Sequence, residues 1–158
     1  TFFNYEDPLQ TETDSTTQPH TDQSFLASWP TNSWHIFLEL TQTLRFDAGD
    51  IVYQSGDLDR ALYVVADGQF EVFYPRPTGP IRLGLAEQGS VLGEQCFLDG
   101  LPHSFMARAA TGAELVRFSL ASYEILSARH PDLAGDVMRE LARIGTLRQR
   151  QIASLLLE

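Results

Sequence analysis

Between residues 42 and 119 the chain is cut into short apolar runs by Gly and Asp turns, and that rhythm is hard to reconcile with anything but an all-β core. The runs are 43–46, 51–54, 61–66, 69–74, 81–86, 91–92, 105–110 and 114–119. Short strands at this spacing predict a sandwich or barrel. Ala48-Gly49-Asp50 and Ser55-Gly56-Asp57 carry the residues that tolerate positive φ and bond their own backbone. Asp67-Gly68 between two runs is the strongest hairpin signal in the chain. The proline-rich stretch 75–80 reads as a loop.

On either side the pattern changes. Residues 1–24 hold Glu6, Asp7, Glu12, Asp14 and Asp22 without a base, in a chain of net charge −10. So polar a segment cannot offset its ordering entropy and is expected to be a flexible acidic tether. Residues 25–41 place Phe25, Leu26, Trp29, Ile36, Phe37 and Leu40 around Pro30, which predicts two short helical turns, the second opening near residues 31–33. Residues 120–158 read as two helices, one over 120–128 and a longer one from Pro131. Leu133, Val137, Leu141 and Ile144 recur there at three- and four-residue steps. Leu147, Ile152, Leu155, Leu156 and Leu157 extend the apolar surface. Arg139, Arg143, Arg148 and Arg150 are expected on a solvated face of that helix, partly balanced by Asp136 and Glu140.

Residues 90–110, SVLGEQCFLDGLPHSFMARAA, stand out inside the β region. A Gly-Glu pair opens a one- or two-turn helix, an Asp-Gly turn and a proline follow, then a strand. Gly93 allows close backbone approach, and the N–H groups of a helix start favour an anion. This stretch resembles the phosphate-binding cassette of cyclic-nucleotide-binding domains, in Gly93-Glu94, Asp99-Gly100 and Pro102. Phe46-x-x-Gly49-Asp50, Tyr53-x-x-Gly56-Asp57, Leu62-Tyr63-Val64-Val65 and Gly68-x-x-x-Val72 extend the likeness to about 110 residues, from Thr43 to about Arg150.

The resemblance implies an eight-stranded β-roll of the jelly-roll type with flanking helices and a long C-terminal helix. It implies a regulatory module that senses a cAMP- or cGMP-like nucleotide and transmits through that helix, without being an enzyme. Ligand contacts are implied at Gly93, Glu94, Gln95, Cys96, His103 and Ser104. Glu94 matches the residue that bonds the ribose 2′-hydroxyl. His103 stands where the family carries an arginine, and an imidazole is only half protonated near pH 6.5. The rival expectations are a surface histidine in a cassette that has lost its ligand, and a domain serving assembly within a larger protein such as a sulfate-permease-type transporter or a channel. Arg108 is expected to face away from His103, and Arg82 is left open as a substitute cation. The C-terminal helix is expected to meet a second copy or another domain.

Other chemistries find little support. His20, His35, His103 and His130 are isolated, so no metal set forms, and no Ser or Cys nucleophile has a local signature. Cys96 is expected to pack under the short helix, with Phe97 and Leu98 in the core. No cofactor is expected beyond the nucleotide. The acidic balance argues against nucleic acid, and DNA binding is not expected of the residues given. No apolar run nears the roughly 20 residues needed to cross a bilayer, nor does the start read as a signal peptide, so a cytoplasmic protein or cytoplasmic domain is expected. An initial Thr suggests a chain processed or cut from something longer.

Overall fold

In the computed structural model, which describes residues 24–155 and Leu157, the eight apolar runs are eight strands: β1 (Gln42–Phe46), β2 (Ile51–Tyr53), β3 (Ala61–Asp67), β4 (Phe70–Tyr74), β5 (Ile81–Ala86), β6 (Val91–Leu92), β7 (Met106–Ala109) and β8 (Ala113–Ser119). The helices are α1 (Thr31–Leu38), α2 (Glu94–Asp99), α3 (Leu120–Arg129) and α4 (Pro131–Leu155). The strands form two antiparallel sheets, ordered β1-β8-β3-β6 and β2-β7-β4-β5. This is the expected β-roll with a long C-terminal helix. The expected acidic tether lies outside the described residues, save Ser24.

Side-chain alternation divides the core. On β3, Leu62 and Val64 point toward the helices, whereas Ala61, Tyr63 and Val65 point into the roll. β8 does the same, with Val116 and Phe118 on the helix side and Leu115 inside. Both strands therefore bury side chains on two faces, which explains the nearly continuous apolar sequence of β3 and the adjacent Leu115 and Val116 of β8. The turns keep their local chemistry: Asp50 and Asp57 each accept, at 2.9 Å, the N–H of the residue three before.

The first of the two helical turns expected over residues 25–41 is instead a non-helical turn over residues 25–28, and only α1 is helical. Pro30 interrupts continuation, and residues 24–29 form a strap. Ser24 bridges Ser90, and Phe25 N–H donates to the Gly89 carbonyl at 2.8 Å. Across the strap, Leu26 N–H donates to Glu140 (3.2 Å), Trp29 Nε1–H to Asp136 (3.0 Å) and Arg143 Nη2–H to the Ser24 carbonyl (3.1 Å). Phe25, Trp34, Phe37 and Phe118 fill the space beneath. Ser119 caps α3, accepting from Ser122 N–H at 3.1 Å, and Pro131 begins α4 where its missing N–H costs nothing.

Candidate functional site

The segment 90–110 folds as β6, α2, a loop and β7. Gly93 sits at the N-cap of α2 with φ 80°, a left-handed geometry that glycine adopts at little cost. It is also tightly enclosed, because a Cβ there would stand 3.1 Å from the Ala61 carbonyl oxygen and 3.3 Å from His103 Cε1. A side chain at this position would strain the backbone and press on the imidazole at once. Gly93 thereby lets Glu94, the first residue of α2, enter the interior, where it is 5% exposed.

The Glu94 carboxylate reaches α4. Arg148 Nη1–H donates to Glu94 Oε2 at 2.5 Å, and Arg148 Nη2–H donates to the Val91 carbonyl at 2.5 Å. A cavity of about 360 Å³ surrounds this pair. Val72, Leu83, Leu85 and Phe105 form apolar wall on the roll, and Ile152 and Leu155 on α4. Glu94 and Arg148 are its charged wall residues, with Tyr53, Ser90 and Gln151 supplying polar groups. An apolar chamber with a few converging polar groups, near the roughly 300 Å³ lower bound of small-molecule sites, is what a small ligand requires.

His103 does not stand in this wall. It is 5% exposed and stacks on Tyr53, ring centroids 3.8 Å apart and planes 8° from parallel. Burial pushes its pKa below the ordinary range, opposed by the Asp59 and Asp57 carboxylates. The imidazole is therefore neutral at neutral pH. The expectation of a surface histidine is corrected: a flat apolar partner, Tyr53, offers the ring a stacking site inside the protein. Burial, and then the charge of Glu94, push the Tyr53 hydroxyl pKa upward, so Tyr53 remains a neutral wall group.

Of the residues implied by the resemblance, Glu94 alone lines the cavity. Gly93 and His103 adjoin each other behind it, Cys96 is buried with its thiol 3.6 Å from the Asp59 carbonyl, and Gln95 and Ser104 are exposed. Burial raises the Cys96 thiol pKa, the opposite of an activated nucleophile. Phe97 is core as expected, and Leu98 packs at its margin. Burial alone would raise the Asp59 carboxyl, but Arg117 at 2.6 Å and the Tyr63 hydroxyl hold it below the usual range. Arg108 pairs with Glu71 at 2.7 Å and covers Phe73, while Arg82 is exposed, so neither enters the cavity.

The solvated arginine face expected on α4 also needs correction. Arg139 and Arg150 do face solvent, but Arg143 binds Glu140 and the strap, and Arg148 points inward. The spacing is in keeping with this placement. Val137, Leu141, Ile144 and Arg148 follow one another at four, three and four residues, so Arg148 continues the buried stripe. Among the described residues no cluster of His, Cys, Asp or Glu could hold a metal ion, and no helix is long and apolar enough to cross a membrane.

A family model described as the cyclic nucleotide-binding domain matches residues 43–130. The cyclic AMP receptor protein of Thermus thermophilus is 33% identical over 107 residues, covering 67% of this chain and 50% of that protein. A lysophospholipase of Cryptococcus neoformans is 26% identical over 98 residues, covering 62% of this chain and 6% of that one. The chain thus spans half of the first relative and a small segment of the second. The crystal structure of the Thermus thermophilus catabolite activator protein superposes with a TM-score of 0.70 at 29% identity, covering 81% of this chain and 60% of that one.

Proposed function

Because this chain belongs to the cyclic nucleotide-binding domain family, we propose that its cavity receives a cyclic nucleotide and that α4 reports the occupancy. The observation that carries this reading is the bond between Glu94 and Arg148. Glu94 belongs to the cassette and Arg148 to the C-terminal helix, so a ligand that takes up the Glu94 carboxylate changes a contact of α4. A ligand is regulatory when its contacts differ between two arrangements of the element it moves.

In this reading Glu94 accepts a ribose hydroxyl, and the apolar walls, including Leu83, Leu85 and Ile152, take the base. The backbone of residues 93–96 and Ser104 remain contacts on the phosphate side. The module binds and regulates and has no catalytic role; a cytoplasmic setting, where such nucleotides are found, completes the picture.

A thermal-shift series with cyclic AMP and cyclic GMP at pH 6 and 7.5 tests it. Ligand at a hundred times its Kd stabilises by about 2.7 kcal/mol, which raises Tm by several degrees. Glu94→Gln should lose most of the shift. An unchanged Tm for both nucleotides up to millimolar concentration would rule the reading out.

A further inference from the structure

A phosphodiester carried into this cavity meets a wall whose charged residues are Glu94 and Arg148. Resting on the nucleotide reading above, we propose that Arg148, carried by α4, is the cation that receives the phosphate, in place of the cassette position occupied by His103. Three observations lead there. First, His103 is buried against Tyr53 and does not line the cavity. Second, the arginines of the roll and its loops nearest the cassette are committed elsewhere. Arg60 binds the Phe97 and Leu98 carbonyls, Arg108 binds Glu71, and Arg117 binds Asp59. Third, Arg148 is already inside, its guanidinium held by the carboxylate that the ligand would also engage.

The exchange keeps both groups hydrogen-bonded: Arg148 meets the ligand's added negative charge, and Glu94 keeps its own charge against a hydroxyl donor. Without a ligand, Glu94 and Arg148 satisfy each other. Taking Arg148 away would strand a buried carboxylate, which is costly. A ligand removes that cost only if it brings an anion for Arg148 and, close by, a hydroxyl donor for Glu94. A sugar hydroxyl next to a phosphate has that pairing, whereas a simple inorganic anion or a neutral nucleoside supplies only half of it. A guanidinium can donate two parallel bonds to phosphate oxygens, so Arg148 can exchange one oxyanion for another without changing its charge state. The cation that grips the ligand therefore belongs to the same helix as Ile152 and Leu155 of the wall.

Calorimetric titration of the full chain with cyclic AMP and cyclic GMP, comparing wild type, Arg148→Gln, Arg148→Lys and His103→Gln, tests this. The tighter nucleotide should bind Arg148→Gln at least tenfold more weakly, Arg148→Lys at an intermediate strength, and His103→Gln within about twofold of wild type. Arg148→Lys keeps a partner for Glu94, so it guards against a Gln variant that fails to fold. On it the ³¹P resonance of the bound nucleotide should move relative to wild type, while His103→Gln leaves it in place. A purely structural Arg148 would not shift that resonance. Equal or tighter binding by Arg148→Gln would overturn the inference and leave the nucleotide reading intact. So would a loss in His103→Gln as large as in Arg148→Gln. Silence of wild type and all variants toward both nucleotides would overturn both.

Discussion

The two halves of α4 do opposite things with the same apolar stripe. From Pro131 to Ile144 the stripe is sealed: Leu133, Val137, Leu141 and Ile144 are at most 7% exposed and meet the strands and aromatic residues of the helix-side core. From Leu147 onward it covers a hollow, with Arg148 inside and Ile152 and Leu155 at the wall. The first half is fixed at both margins as well, by Asp136, Glu140 and Arg143 on the strap. The second half meets the roll around the cavity, where its Arg148 pairs with Glu94 and bonds the Val91 carbonyl. Packing of the first kind sets stability, and a polar contact of the second kind can be exchanged. The difference separates what holds the fold from what can respond.

The sharpest way to break that comparison is to truncate one leucine or isoleucine in each half. Leu141→Ala removes a fully buried side chain and should cost about 2–5 kcal/mol, read from urea unfolding. Ile152→Ala, half-buried beside the cavity, should cost less than about 1 kcal/mol. Equal losses would mean that the two halves are anchored alike.

Next in size is the ion pair. Arg148→Gln leaves Glu94 buried without its cation and should cost about 1–3 kcal/mol. Adding Glu94→Gln should recover part of that loss, because a neutral amide is cheaper to bury. A double-mutant cycle measures the coupling, and simple additivity would mean that the contact does not hold the distal half.

The smallest effect belongs to His103. Its folded pKa lies below its unfolded value, so on acidification the unfolded chain takes up a proton that the folded chain refuses. The stability it contributes is full above roughly pH 6.5 and is lost as pH falls below that. Melting curves at pH 7.5 and 5.5 should therefore converge more closely in His103→Gln than in wild type. An identical pH response in both would show that His103 is not the group responsible.

The roll was legible because its signals are local. Each strand is bounded by its own Gly or Asp, and Asp50 and Asp57 bond within four residues of themselves. Glu94 was picked out through the resemblance, and its entry into the interior follows from the left-handed Gly93 beside it. Arg148 and His103 were not legible, because each is placed by a partner far along the chain. Arg148 meets Glu94 across 54 residues, and the loop residue His103 stacks on Tyr53, a ring supplied by β2. An arginine breaking an apolar stripe marks a buried charge only once the helix is known to cross a cavity.

On the proposed reading, in which α4 reports occupancy, the strap that clasps α4 near Glu140 would make the helix a lever with Ile144 close to its fulcrum. At 1.5 Å per residue, Arg148 lies about 6 Å beyond that point and Leu155 about 16 Å, so a displacement at the arginine is amplified nearly threefold at the tip. A tilt of about 10° carries Leu155 about 3 Å over that arm. On that reading, a tilt too small to disturb the roll would reposition anything that touches the far end of the helix.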